Sequence, residues 1–256
     1  MSWFNWGGTP NHDFILFENF TKMPSLYLIP TTIGETPTEQ VLPQEIIKVV
    51  QRLQHFVVED IRTARRHLRK MVPEIVIDNL DFKELNEHTH ESGLELLLDP
   101  LIKGFDVGIL SDAGCPGVAD PGADLVRLAH IRGIRVVPLV GPSSVILALM
   151  ASGMNGQSFA FIGYLPVKPH ERAKAIRDIE RNSERNKQTQ IFIEAPYRNA
   201  KLVEDLLANC NEQTRLCIAA DLTLESEFVV TKTIAGWKKA VPDINKRPAI
   251  FLLQNP

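Results

Sequence analysis

Cysteine is scarce: Cys115, Cys210 and Cys217 are the only three in 256 residues, and none forms a CxxC pair. That excludes a disulfide framework and a cysteine-rich metal centre, and it suits a reducing compartment. No apolar run reaches the roughly 20 residues of a membrane span. A cytoplasmic protein with no membrane partner is expected. Neither sign of charge dominates. Lys and Arg number 28 against 31 Asp and Glu, a net charge of −3. The chain as a whole carries no nucleic-acid signal, although a local basic face is a separate question. There are no internal repeats or low-complexity segments. No G-x-G-x-x-G follows the first predicted strand and no G-x-x-x-x-G-K-[ST] occurs, which argues against ordinary dinucleotide and P-loop sites. No G-x-S-x-G elbow supports a serine hydrolase. His88 and His90 alternate in "NEHTHE", a pattern of a solvated loop rather than of a metal pair.

What is present is a globular composition, 44% hydrophobic and 23% charged. The length allows one large domain or two modest ones. The first stretch, "MSWFNWGGTPNHDFILFENFTK", holds Trp3 and Trp6, two of the three tryptophans. It lacks a basic start, a clean apolar core and a small-residue cleavage site, so it does not read as a signal peptide. Periodic sequence begins at Ser25. Residues 1–24 are expected to be a peripheral or artefactual segment, with Met23 an alternative start.

From Ser25 the chain alternates strand, loop and helix. Strands are predicted at 25–30, 55–60, 106–111 and 134–140, and helices at 43–54, 63–71, 92–103, 121–132 and 144–151. This order predicts a mostly parallel sheet with helices on its faces. Sites in such sheets lie at the carboxyl ends of strands. The unusual stretches "TTIGE", "VEDIR", "SDAGCPG" and "VGPSS" all fall there. A seam follows at "SGMNGQS". Beyond it, strands at 159–166, 189–196, 215–222, 227–234 and 248–254 join helices at 169–185 and 197–209. Short links between strands suggest antiparallel pairing. The expected architecture is α/β, with an N-terminal domain over 25–153 and a C-terminal domain with a mixed sheet over 154–256.

"LSDAGCPGVADPG" (110–122) carries the strongest local signal. Its end reads as helix-start chemistry: Asp120 suits an N-cap, Pro121 the first helical position, and Asp124 the positive end of the helix. Its beginning reads as a ligand loop. Glycines let backbone approach a ligand closely, and Asp112 sets an acceptor just past the strand. In "VGPSS", Ser143 is both a helix cap and, with Ser144, a candidate ligand contact. A basic face is read on one helix, where Arg62, Arg65, Arg66, Arg69 and Lys70 recur at spacings of three, four and seven. Lys168, Arg172, Lys174 and Arg177 form a second basic group. Such faces bind phosphates or are simply solvated.

Taken in order, "LYLIPTTIG", "VVEDIRTARRHL", "VGILSDAGCPGVADPGADLVRLA", "VVPLVGPSSVILALMASG", "FIGYLP" and "FIEAPYRN" resemble the ribosomal small-subunit RNA 2′-O-ribose methyltransferases. These are a branch of the tetrapyrrole methylase superfamily. The likeness runs from about Ser25 to the C-terminus. It implies two α/β domains of the tetrapyrrole methylase type, S-adenosylmethionine in a cleft between them, and a homodimer. Carried onto matching positions, it implies cofactor contacts at Pro30 and Thr31, then at Asp112, Ala113, Gly114, Cys115 and Pro116. Ser143 and Ser144 follow, then Tyr164 and Leu165, then Ala220, Asp221 and Leu222, with Pro248 close by. "TTIGE" stands where the family has a "TPIGN"-like run, "EDIR" replaces "EDTR", and "NEHTHE" replaces a "HEHNE"-like stretch. These departures lie on the substrate side.

The activity so implied is in-line methyl transfer to an RNA ribose hydroxyl, in small-subunit rRNA or a ribosomal particle. Alignment in a dry site supplies much of such a rate, and a general base assists a weakly acidic hydroxyl. Glu59, Asp60 and Glu87 are candidates, as is Glu194. Glu59 or Asp60 has the alternative of capping the helix from Ile61 or pairing with Arg62, and Glu194 that of holding Arg198. Arg62, Arg65, Arg66, Arg69, Lys168 and Arg172 are the expected RNA contacts, and no metal is expected. Methylation of a small molecule such as a tetrapyrrole is the second reading. An inactive paralogue binding cofactor or ribosome is the third.

Overall fold

A computed structural model describes residues 23–85, 89 and 91–256. Residues 1–22, Glu87, His88 and His90, and with them the expected N-terminal segment and alternating histidines, lie outside the described residues. The chain divides into two compact units, one built mainly from 43–140 with the first strand, the other from 31–42 and 141–256.

Unit 1 carries strands β1 (Ser25–Ile29), β2 (His55–Val58), β3 (Asp81–Glu84), β4 (Val107–Leu110) and β5 (Arg135–Pro138). Its helices are α1 (Gln44–Arg52), α2 (Ile61–Met71), α3 (Glu91–Leu97) and α4 (Gly122–Ile131), with a short turn of helix at Asp99–Ile102. The sheet order is β3-β2-β4-β1-β5, and every pairing is parallel. Both faces of β4 are buried, as an all-parallel sheet requires. On one face Val107 and Ile109 pack with Leu94, Leu97, Leu125 and Leu128. On the other, Gly108 lies so close to its neighbours that an added Cβ would sit 2.6 Å from Ile29 Cδ1 and 3.0 Å from Leu53 Cδ1.

The predicted helix at 92–103 is interrupted after Leu97, and the next turn starts at Asp99 with Pro100 in its first positions. Proline suits a helix start and not an interior. Strand β3 was not expected. "DFKE" is a short edge strand with charged, exposed ends, and such edges lack the apolar alternation that marks buried strands.

Unit 2 carries α5 (Ser144–Ser152), β6 (Phe159–Tyr164), α6 (Pro169–Asn186), β7 (Thr189–Ile193), α7 (Asn199–Asn209), β8 (Arg215–Ala220), β9 (Phe228–Thr233), α8 (Ile234–Lys239) and β10 (Ala249–Gln254). Its order is β6-β7-β10-β8-β9. The β6–β7 pair is parallel and the rest antiparallel, so the sheet is mixed. One face packs Ile176, Ile179, Leu202, Val203 and Trp237. The other packs Val145, Ala148 and Leu149 of α5. Helix α5 therefore belongs with the second sheet, whereas the sequence suggested a boundary after it. "SVILALMAS" is apolar on all sides, so periodicity gives no direction for its packing. In β6 the register against β7 slips by one residue between Phe161 and Gly163. Gly163 there has φ +77°, a conformation glycine adopts at little cost.

Candidate functional site

In unit 1 the carboxyl ends of three neighbouring strands are level: Leu110 pairs with Ile29 on one side and Val58 on the other. Pro30, buried, follows the first of these ends; Glu59 and Asp60 follow β2; the loop 111–120 follows β4. This is where an open parallel sheet places ligands. The loop is held by its own polar groups. Ser111 Oγ donates to the Gly114 carbonyl at 3.0 Å. The Asp112 N–H donates to Glu59 Oε1 at 3.2 Å. His67 Nε2, from the buried face of α2, lies 3.0 Å from the Asp112 carbonyl, so that nitrogen carries the proton.

Asp112 thus has its backbone fixed on both sides while its carboxylate accepts no hydrogen bond among the described residues. That side chain and Ala113 are exposed, Gly114 and Pro116 are buried, and Cys115 is half-buried. Burial pushes the Cys115 thiol above its ordinary value, which makes it a poor nucleophile.

Asp120 differs from expectation in detail. The helix starts at Gly122, with Pro121 at the cap position and making no side-chain cap. Asp120 Oδ1 accepts from the N–H groups of Gly117 (2.7 Å) and Gly122 (2.8 Å). It ties the loop to the helix start from one residue further out.

Three carboxyls here lie above their ordinary values: Glu59 and Asp120 chiefly through burial, and Asp112 chiefly through the partial desolvation of its otherwise exposed side chain. Repulsion from Asp120 and Asp112 adds to the effect on Glu59. Asp60 moves the other way. It is exposed, and the hydrogen bond from Thr63 lowers it. The Thr63 N–H reaches Asp60 Oδ1 at 2.7 Å, making Asp60 the N-cap of α2. Of the adjacent pair, Glu59 faces the loop and Asp60 starts the helix.

Helix α2 buries Ala64, His67, Leu68 and Met71 and turns its arginines outward. Arg62, Arg65, Arg66, Arg69 and Lys70 line one surface depression with Asp60. None of the four arginines has a carboxylate within ion-pair distance among the described residues. Arg66 also acts electrostatically on Asp112, so this basic face borders the loop.

In unit 2 the expected contacts divide. Thr31 is fully buried, and beside it Thr32 Oγ1 is buried without a partner among the described residues. Ser143 caps α5, accepting from Ile146 N at 3.5 Å, and Ser143 and Ser144 are half-buried. Tyr164 is 61% exposed. Leu165, Ala220 and Leu222 are core side chains, so only their backbone is open to a ligand. The Asp221 carboxylate accepts from Arg247 Nε at 2.8 Å and Ser226 Oγ at 2.9 Å. Pro248, exposed, accepts from the Asp221 N–H at 2.9 Å.

Two expectations need correction. Arg172 is not a surface cation. Its side chain is 4% exposed and paired with Asp205, with Nε at 2.7 Å and Nη2 at 2.5 Å from Oδ2. Lys168 is paired with Glu171 at 3.2 Å and Arg177 with Asn209 at 2.7 Å. The second basic group is therefore largely internal bonding of unit 2. Glu194 is fully buried, and its Oε1 receives the Ala195 N–H at 2.7 Å and Arg198 Nε at 2.8 Å and Nη2 at 2.5 Å. Its partner Arg198 reaches in turn to the hydroxyl of Tyr197 at 2.8 Å. Tyr197 is not among the residues expected from the sequence; its signal there is an aromatic beside an arginine just past a strand end, in "EAPYR".

The model of the Tetrapyrrole (Corrin/Porphyrin) Methylases matches residues 27–236. The chain belongs to the tetrapyrrole methylase family. Among its relatives within reach of sequence, the Ribosomal RNA small subunit methyltransferase I of Vibrio cholerae is 34% identical over 206 residues, 80% of this chain and 67% of that one. The protein of the same name from Escherichia coli O157:H7 is 34% identical over 231 residues, 89% and 76% of the two chains. Two solved tetrapyrrole methylase folds also align with it. The methyltransferase CobJ has a TM-score of 0.60 at 17% identity, covering 91% of this chain and 94% of its own. Cobalt precorrin-4 methyltransferase, CbiF, has 0.58 at 17%, covering 91% and 96%. The parallel and mixed sheets described above are thus those of a tetrapyrrole methylase.

Proposed function

We propose that this chain is an S-adenosylmethionine-dependent methyltransferase acting on a ribose 2′-hydroxyl of small-subunit rRNA in the cytoplasm. The observation that carries the RNA reading is the row of four arginines on α2, unpaired among the described residues and bordering the loop 111–120. An exposed run of cations with no carboxylate paired to it among the described residues matches a phosphodiester chain. The names of the relatives above support the same substrate.

The residues fit the cofactor. The Asp112 carboxylate is unpartnered on a backbone fixed by Glu59 and His67, which suits an ammonium or ribose hydroxyls. Gly114 and the loop amides would lie against the same molecule, and the positions carried over in unit 2, apart from the Tyr164 side chain, are proposed for it too. When bound, S-adenosylmethionine supplies an electrophilic methyl group. Glu59 is our choice for the general base. Burial holds its carboxyl above the ordinary value, nearer neutral pH, where a base is most effective. Asp60 and Glu194 then act by capping α2 and holding Arg198. We also propose a homodimer. Helix α5 is apolar all round yet exposes Ile146 and Met150, and a second copy would cover them.

Calorimetry with S-adenosylmethionine, together with mass-spectrometric mapping of rRNA methylation with and without the gene, tests this reading. Binding of the cofactor and loss of one ribose methyl group in the strain lacking the gene are expected. Cofactor binding with an unchanged rRNA map would refute the RNA substrate; no cofactor binding would refute the whole reading.

A further inference from the structure

The mixed sheet of unit 2 ends in a group of side chains whose arrangement goes beyond holding the fold. Tyr164 closes β6 and pairs in register with Ile193 of β7. Glu194, Tyr197 and Arg198 follow directly. Two large aromatic rings are left open to solvent there, Tyr164 at 61% and Tyr197 at 67% exposure. Exposed tyrosines on a globular surface are unremarkable singly. Here both stand near one guanidinium: Tyr197 bonds Arg198 directly, and Tyr164 lies level with Ile193, the residue before Glu194.

That guanidinium is tightly oriented. Glu194, with a side-chain exposure of 0%, takes Nε and Nη2 on a single oxygen. Tyr197 takes Nη1 on its hydroxyl, and the guanidinium carbon stands 5.0 Å from the ring centroid. The arginine therefore lies over the hydroxyl end of one face of Tyr197, and most of the residue stays open to solvent. Arginine has five N–H donors. Three are accounted for, so two point away from Glu194 with no partner among the described residues. The second oxygen of Glu194 is buried and has no partner among the described residues. A buried carboxylate with one unsatisfied oxygen is a costly device for surface decoration. It is understandable as the anchor of a cation that must keep one orientation.

We propose that Tyr164, Tyr197 and Arg198 form a nucleotide platform on unit 2, on which an unpaired base of the substrate RNA stacks against tyrosine while the two open N–H groups of Arg198 take its phosphate or base edge. Glu194 is the positioning residue of this platform. The inference rests on the RNA reading and deepens it, since single-stranded RNA is recognised by bases stacked on aromatic and guanidinium planes. A phosphate-only contact would need no open ring faces. A site for a simple anion would not set them beside the cation.

The test uses the full chain and a short fluorescein-labelled single-stranded oligoribonucleotide, with binding read by anisotropy and S-adenosylmethionine binding read by calorimetry on the same samples. Tyr197→Ala is expected to weaken RNA binding by about tenfold, the scale of one lost base–aromatic stack, with cofactor affinity unchanged. Tyr197→Phe keeps the ring and should retain most of the binding. Arg198→Lys keeps the charge but loses the planar fork, and should weaken binding while leaving the number of released counterions nearly the same. If the parent chain binds RNA and Tyr197→Ala and Tyr164→Ala bind it equally well, the platform is refuted and the RNA reading stands. If the parent chain binds the cofactor but no RNA, both fail. A polycarboxylate porphyrin that binds with the same dependence on Tyr197, where RNA does not, would reassign the platform to a small-molecule substrate.

Discussion

Replacing Arg172 with methionine separates a structural cation from an RNA contact. The guanidinium is almost fully buried, makes two contacts with Asp205 Oδ2, and donates Nη1 to the Val167 carbonyl at 3.2 Å. Removing one member of a buried pair leaves the other charge uncompensated, about 3–5 kcal/mol. Asp205 is somewhat more exposed than Arg172, and Lys201 Nζ lies 3.3 Å from its other oxygen, so the lower end applies. Methionine also preserves the apolar stem's packing. We expect a loss of about 3 kcal/mol, which in a chain of this size lowers the melting temperature by roughly 6–12 °C. Urea denaturation followed by circular dichroism measures it. The double variant Arg172→Met, Asp205→Leu removes both charges and should recover most of the loss, because apolar replacements of whole buried pairs are close to neutral. RNA affinity of the folded single variant, measured below its transition, should equal that of the parent. A single variant of parental stability with weakened RNA binding would overturn the assignment.

Charge reversal of Arg65 and Arg66 should leave stability and cofactor binding intact. It should flatten the salt dependence of RNA binding by about 1.4 in the log–log slope, roughly 0.7 for each lost phosphate contact to a single strand. Titration across salt concentrations reads the slope. Gly108→Ala forces a methyl group against Ile29 and Leu53, and overpacking of this kind costs about 1–3 kcal/mol, visible as a lower denaturation midpoint. Glu59 is raised above its ordinary 4.5 by burial. Its proton-linked stability is therefore full below that pH and lost as pH rises through the higher folded value. Glu59→Gln should remove that decline, flattening stability against pH across this window while abolishing or strongly reducing methyl transfer if Glu59 is the base.

Much of the frame was readable because parallel strands buried on both faces are short apolar runs with punctuated ends. "SLYLI" and "VGIL" are such runs, and the loops that follow them carry glycine, proline and acids. The loop from Ser111 was visible for that reason, and so was Asp60 as a possible cap of the next helix. Other features depended on partners distant in the chain. Arg172 lies on a charged helix whose sequence reads as solvated; only the packing of α7 brings Asp205, 33 positions later, beside it. Helix α5 gave no sign of which sheet it serves, because it is apolar all round. Leu165, Ala220 and Leu222 share their stretches with exposed Tyr164 and half-buried Asp221. A motif likeness identifies such a stretch but not which of its side chains turns inward.

The slipped register in β6 decides one such case. In an unbroken strand Phe161 and Leu165 would share a face, and Tyr164 would lie opposite both. The extra residue shifts the strand's phase, so Phe161 and Tyr164 fall opposite Ile191 and Ile193 on one side, and Leu165 joins the core on the other. Gly163 is the hinge of that phase change. A β-branched residue at this position would have to endure a backbone conformation it strongly disfavours or let the strand straighten. Straightening would exchange an aromatic open to a ligand for a leucine in water. The identity of one small residue with no side chain to contribute thus selects which of the two residues after it the protein presents to the outside.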